Sequence, residues 1–137
     1  MTMKVTQLPD VEPRQRRVAI GTFDGVHVGH RQVIEGSDTV LTFEPHPVEI
    51  IHPEAAPKLI MAFATKRDVI AGLGVEELAV IPFDEEFSRL TAEEFVDSVL
   101  LSKLGATHVS IGENFRFGAK AKGDQRMLEA REEFETR

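Results

Sequence analysis

The residues of this chain that are best suited to chemistry occupy one stretch of ten, GTFDGVHVGH, at positions 21–30. Three of them are glycines, which let a turning backbone come close to a ligand: Gly21, Gly25 and Gly29. His27 and His30 are three residues apart, so on the first turn of a helix both imidazoles share a face near the helix N-terminus. Two imidazoles beside unpaired backbone N–H groups would form an anion site suited to phosphate oxygens.

Two other interpretations of this histidine pair stay open. The pair could belong to a structural turn with polar capping residues, because a short His-x-x-His spacing has a high false-positive rate. It could also bind zinc, which would take a third protein ligand such as His46. The glycines have no role in holding zinc but suit a polyphosphate, and we therefore favour the phosphate site.

The elements that must position this stretch follow from the hydrophobic pattern. Apolar, β-branched runs alternate with stretches of helical period, which is typical of an α/β open parallel sheet with crossover helices. The predicted strands are Arg17–Gly21, Thr39–Phe43, Glu77–Pro82 and His108–Gly112. The predicted helices run from about His27 to Gly36, from about Ala64 to Leu73, and from about Thr91 to Lys103, the last with a Thr91–Glu94 capping box. The charged tail from Asp124 to Arg137 is expected to add no strand.

Two further segments follow predicted strand ends, where open α/β sheets bind ligands. One is TFEPHP at 42–47, and the other is GENFRFG at 112–118, in which Arg116 stands between two phenylalanines. Arg116 could hold a phosphate at two points. Phe115 and Phe117 could present flat apolar surfaces to a ring system or could be core residues, and the sequence leaves both open. Phe87, Phe95 and Phe134 are expected to be packing residues.

The composition excludes several classes of protein. With 42% hydrophobic and 28% charged residues the chain is typical of a soluble globular protein. It has no cysteine, which excludes disulfides, thiolate metal sites and a cysteine nucleophile. A net charge of -7 argues against a nucleic-acid partner, and the first twenty residues lack the apolar stretch of a signal peptide. We expect a cytoplasmic protein without a membrane partner.

The HVGH stretch at 27–30 resembles the His-x-Gly-His signature of the nucleotidylyltransferase superfamily. Together with TFEPHP and GENFRFG, in that order, the whole Gly21–His30 stretch resembles the FMN adenylyltransferase domain of prokaryotic FAD synthetases, and the resemblance covers most of the chain. It implies a Rossmann-like sheet and an enzyme that transfers AMP from ATP to FMN, with Mg²⁺ as cofactor. In that family a riboflavin kinase domain and a later Ser/Thr and Arg signature follow. Neither lies within residues 1–137, so we expect an FMN adenylyltransferase domain that is incomplete at its C-terminus.

The resemblance also implies roles for individual residues. His27 and His30 would be the catalytic pair and contact the ATP phosphates. The residues implied on the ATP and phosphate side are Gly21, Phe23, Asp24, Gly25, Gly29, Asn114 and Arg116. Those implied beside the flavin are Pro45, His46, Pro47, Phe115 and Phe117, while the metal ligands are left unassigned. Two alternatives stay open: a module that binds nucleotide or flavin without turnover, and another adenylyl- or cytidylyltransferase with a different phosphorylated acceptor.

Overall fold

A parallel sheet forms the centre of the molecule. The structure, a computed structural model, describes residues 3–23, 28–44, 63–112 and 115–137, with only the backbone for residues 28–30. The strands are β1 (Lys4–Gln7), β2 (Arg16–Ile20), β3 (Thr39–Phe43), β4 (Glu77–Ile81), β5 (Ala106–Ile111) and β6 (Glu135–Thr136). They are arranged in the order β1-β4-β3-β2-β5-β6, and every neighbouring pair is parallel. The predicted α/β open parallel sheet is therefore confirmed.

Helices connect these strands. Among the described residues they are α1 (Val28–Ile34), α2 (Phe63–Ala71), α3 (Glu85–Ser88), α4 (Ala92–Glu94) and α5 (Gln125–Glu129), with short 3-10 turns at Leu8–Asp10 and Ala119–Ala121. The predicted capping box starts α4: the Glu94 N–H donates to Thr91 Oγ1 (3.1 Å), and the Thr91 N–H donates to Glu94 Oε1 (3.0 Å). The helix then continues as a π-helix over Phe95–Lys103. None of the helices in these ranges is long and apolar enough to cross a membrane.

The two faces of the sheet bury different sets of helices. On one face Ile20 and Leu41 lie in a cluster with Val96 and Leu100 of the π-helix. On the other face Val40 lies in a cluster with Ile34 of α1 and Ile70 of α2. The connection leaving β2 therefore covers the opposite face from the connection that enters β5. Because β2 and β5 are neighbours, the gap between their carboxyl ends is a topological switch point, where open α/β sheets bind ligands.

Both edge strands differ from what the sequence predicts. The four predicted strands are confirmed to within two residues, but β1 and β6 are additional. The expectation that the tail adds no strand is wrong, because β6 pairs with β5 through His108–Glu135 and Val109–Thr136. Its two residues are too few to show an alternating hydrophobic pattern.

The amino end of the sheet is held by a buried ionic network. Glu77 of β4 is 3% exposed and Arg16 of β2 is 2% exposed. The Arg16 Nε donates to Glu77 Oε1 at 3.0 Å, and Thr6 Oγ1 of β1 donates to Glu77 Oε2 at 3.0 Å. Arg16 also donates to the Leu104 carbonyl (2.9 Å) and the Glu12 carbonyl (2.8 Å). These bonds join three strands at the end of the sheet opposite to the switch point.

Candidate functional site

The three segments singled out in the sequence begin at neighbouring strand ends. Their strands are β2, β3 and β5, and β2 lies between the other two in the sheet. Thr42 Oγ1 donates to the Thr22 carbonyl (3.2 Å), which joins the segments after β2 and β3. Phe43 stacks on Phe115 with ring centroids 6.1 Å apart, which joins the segments after β3 and β5. The structure thus brings the described residues of the three segments together at the carboxyl edge.

The close approach of the Phe23 ring to Gly21 explains the glycine that follows β2. The Gly21 N–H donates to the Leu41 carbonyl at 3.1 Å, which continues the sheet by one bond. A Cβ on Gly21 would lie 2.9 Å from Cζ of Phe23. Phe23 itself has a φ of +56°, and its ring is 2% exposed in the cluster with Ile34 and Ile70. The buried ring anchors the turn and is not placed to contact a ligand.

The segment after β5 separates its two phenylalanines. Phe115 is half-buried, whereas Phe117 is 4% exposed and packs against Phe95 with centroids 5.2 Å apart. The burial of Phe117 favours the core role that the sequence left open. Arg116 between them is exposed, and its NH1 donates to Asp124 Oδ2 at 3.3 Å. The other carboxylate oxygen of Asp124 caps α5, so the helix start fixes the partner of Arg116.

Phe115 ends a row of contacting aromatic rings that begins in the core. Neighbouring rings in the row have centroids 5.2–6.3 Å apart, and their order is Phe117, Phe95, Phe87, Phe83, Phe43 and Phe115. Phe95 and Phe134 are buried and Phe87 is half-buried, as expected of packing residues. Half-buried Phe115, in contact with the core residue Phe43, therefore lies beside the switch point.

Lys66 is a residue of this edge that sequence reasoning missed. It lies on α2, is 1% exposed, and its Nζ donates to the Thr22 carbonyl (2.8 Å) and to Thr42 Oγ1 (3.2 Å). The signal was the position of a lysine four residues before the buried Ile70, on the inward face of the helix. A charged residue on that face is unusual enough to mark a site.

Several predicted site residues lie outside the described residues: Asp24, Gly25, His27, Pro45, His46, Pro47 and Asn114. Gly29 and His30 belong to α1, of which the backbone is described at these positions. The alternative zinc set of His27, His30 and His46 therefore stays a hypothesis. In the described ranges, no group of three His, Asp or Glu side chains could hold a metal ion.

An open parallel sheet with loop segments gathered at its switch point defines a doubly wound α/β protein, a class that binds ligands at this edge. A sequence profile described as FAD synthetase matches residues 10–136. The chain belongs to the FAD synthetase family.

Curated relatives agree with this assignment, and a solved structure shares the fold. The chain is similar to proteins named bifunctional riboflavin kinase/FMN adenylyltransferase. The one from Buchnera aphidicola is 35% identical over 121 residues, 81% of this chain, and the one from Escherichia coli K12 is 34% identical over 122 residues, 82% of this chain. A third, from Pseudomonas fluorescens, is 34% identical over 137 residues, 91% of the chain. The chain spans 39%, 39% and 44% of their lengths. A Streptococcus pneumoniae crystal structure titled macrolide-efflux protein has a TM-score of 0.83 at 24% identity, covering 98% of this chain and 50% of that one, which indicates a shared fold.

Proposed function

We propose that this chain is the FMN adenylyltransferase part of an FAD synthetase, which transfers AMP from ATP to FMN and releases pyrophosphate. The observation that carries the proposal is the contact between the described residues of the segments after β2, β3 and β5 at the switch point of the sheet. Membership of the family and the names of the relatives support the same reaction.

The proposed reaction is one in-line displacement. An oxygen of the FMN phosphate attacks the α-phosphorus of ATP, the bond from that phosphorus to the oxygen bridging to the β-phosphate breaks, and pyrophosphate leaves with the electron pair. No covalent enzyme intermediate is needed, so the protein contributes position and neutralises charge. In this proposal His27 and His30 contact the phosphates, while the backbone of the turn that begins at Gly21 comes close to the nucleotide.

The segment after β5 is proposed to serve both substrates. Arg116 is 57% exposed, and a guanidinium has five N–H donors, so a phosphate could bind it while NH1 keeps its bond to Asp124. The half-buried ring of Phe115, supported by Phe43, offers an apolar surface to the isoalloxazine ring. Asn114 is proposed beside the phosphates. Pro45, His46 and Pro47 are proposed on the flavin side.

Mg²⁺ belongs to this proposal as a companion of ATP. It normally keeps several waters and binds through substrate phosphates with one or two carboxylates, and there it neutralises charge on the phosphates. We assign it no protein ligand and derive no step from it.

Product formation by the full chain tests the proposal. The chain is incubated with ATP, Mg²⁺ and FMN, and FAD and pyrophosphate are measured by chromatography and a coupled assay. Replacing His27 or His30 by alanine should slow FAD formation on the order of a hundredfold, because each would remove a group that stabilises transition-state charge. His108→Ala is the matched control, since that imidazole lies on β5, contacts Glu135 at 3.2 Å, and should leave the rate within about twofold.

The outcomes separate the alternatives. Unchanged turnover in the double variant of His27 and His30 would contradict the proposed roles. ATP binding without pyrophosphate release would indicate a binding module. Pyrophosphate release with another phosphorylated acceptor, but not with FMN, would indicate a different nucleotidylyltransferase.

A further inference from the structure

A buried ammonium group lies directly beneath the carboxyl edge of the sheet. Lys66 projects from α2 and is 1% exposed, and it is among the largest fully buried side chains in the described part of the chain. Burial of an ammonium group is strongly unfavourable unless its N–H groups are bonded. Methionine or leucine would fill the same space without a charge, so packing alone does not account for lysine at this position.

Two hydrogen bonds of this ammonium group lead to the segments after β2 and β3, which border the switch point. Nζ donates to the Thr22 carbonyl at 2.8 Å and to Thr42 Oγ1 at 3.2 Å. Thr42 Oγ1 in turn donates to the same Thr22 carbonyl at 3.2 Å. Lys66, Thr22 and Thr42 thus form a closed triangle, which we call the lysine triangle. Thr42 is fully buried, so water does not compete for its hydroxyl.

The lysine triangle holds the backbone of residues 21–23, which forms the start of the turn after β2. Thr22 stands between Gly21, which continues the sheet through its bond to Leu41, and Phe23, whose φ is +56°. A residue other than glycine with a positive φ needs support from its surroundings. The bond from Lys66 to the Thr22 carbonyl supplies such support one residue before Phe23.

We propose that Lys66 is a positioning residue: through the lysine triangle it fixes the turn after β2 against the end of β3 and so sets the geometry of the adenylyl-transfer site. The inference rests on the proposed function for the reaction it serves. Its effect is indirect, through the Thr22 backbone. Misplacement of reacting groups by about 1 Å is enough to slow an enzyme on the order of a hundredfold, so loss of the lysine triangle should be visible in kcat/KM.

The test compares Lys66→Met with Arg67→Met in the full chain. Methionine keeps the unbranched length of lysine and removes the donors, whereas Arg67 is half-exposed and contacts Asp68 of the same helix at 3.4 Å. Both variants are assayed at a temperature where circular dichroism shows them folded. Backbone hydrogen exchange at residues 21–23 and 42–44 reports on the turn, and kcat/KM for FAD formation reports on the site.

We expect Lys66→Met to exchange faster at these positions and to lose roughly tenfold to a hundredfold in kcat/KM, with Arg67→Met within about twofold of the unmodified chain. If folded Lys66→Met matches Arg67→Met in kcat/KM while the unmodified chain makes FAD, the inference is overturned and the proposed function stands. If the unmodified chain makes no FAD, the proposed function fails. Hydrogen exchange alone then decides whether Lys66 fixes the two segments.

A milder variant keeps the test decisive if Lys66→Met does not fold. Thr42→Val keeps the branched shape and removes the hydroxyl, and with it two sides of the lysine triangle. It should reduce kcat/KM in the same direction but by less, and it should speed exchange at residues 21–23. If it changes neither, the inference is overturned. Where both single variants fold, the double variant should lose less than the product of the two single losses, because the residues act through one shared contact.

Discussion

Replacing Glu77 by glutamine should lower the free energy of unfolding without changing the KM for ATP and FMN. The substitution removes the negative charge beside Arg16, which is 2% exposed and remains charged. Breaking a buried ion pair on one side costs about 3–5 kcal/mol. Arg16 keeps its bonds to the Leu104 and Glu12 carbonyls, so we expect the lower end, about 3 kcal/mol of the free energy of unfolding. For a chain of this size that lowers Tm by roughly 10 °C.

Urea and thermal unfolding of Glu77→Gln and Glu76→Gln provide the assay. The two variants change the charge equally at adjacent positions, but Glu76 is exposed, so its variant should stay within about 0.5 kcal/mol of the unmodified chain. At 25 °C, where folded protein remains, Glu77→Gln should keep its KM for ATP and FMN because the network lies at the opposite end of the sheet from the switch point. Equal stability of the two variants would refute the claim that the ion pair between Glu77 and Arg16 stabilises the sheet.

The pH dependence of this difference follows from the pKa of Glu77. Burial alone raises that pKa, but hydrogen bonds from Thr6 and Arg16 and the charges of Arg16 and Arg14 outweigh it, so the pKa lies below its ordinary value. A carboxyl of this kind contributes stability that is fully present above the unfolded pKa of about 4.3 and is lost as the pH falls through the folded pKa. The stability difference between the unmodified chain and Glu77→Gln should therefore be constant near neutral pH and shrink below about pH 4.

Three substitutions at the carboxyl edge carry the remaining predictions. Gly21→Ala would place a carbon 2.9 Å from Cζ of the buried Phe23, so urea unfolding should show a loss of about 1–3 kcal/mol; an unchanged midpoint would contradict the close approach. Phe117→Ala should cost about 3–5 kcal/mol of unfolding free energy because the ring is 4% exposed against Phe95, yet leave the KM for FMN unaltered in the folded protein. Phe115→Ala should cost less stability and raise the KM for FMN by roughly severalfold to tenfold. If steady-state kinetics show that only Phe117→Ala raises the KM for FMN, then Phe117 rather than Phe115 lies beside the flavin, and these two role assignments are wrong.

The central strands and the helix start could be predicted because local sequence specifies them. Strands such as Thr39–Phe43 are buried on both faces, which produces continuous apolar runs. The Thr91–Glu94 capping box depends only on residues three apart. The segment after β2 can be recognised by its glycine and histidine spacing, and those after β3 and β5 because they follow predicted strand ends.

Features that depend on distant neighbours could not be predicted. Phe115 and Phe117 are alike in sequence context, and only their packing against Phe43 and Phe95 separates them. The inward position of Lys66 on α2 is visible in the sequence, but its hydrogen-bond partner Thr22, forty-four residues earlier in the chain, is not.

Ligand mapping on the isotope-labelled chain tests the location of the site most directly. Backbone amide chemical shifts are followed while ATP and then FMN are added. Binding at the switch point predicts that the largest changes occur after β2 and β5, at Gly21, Thr22, Gly112 and Phe115, with little change around Arg16. Changes confined to the amino end of the sheet, or none at saturating ATP and FMN, would contradict the account.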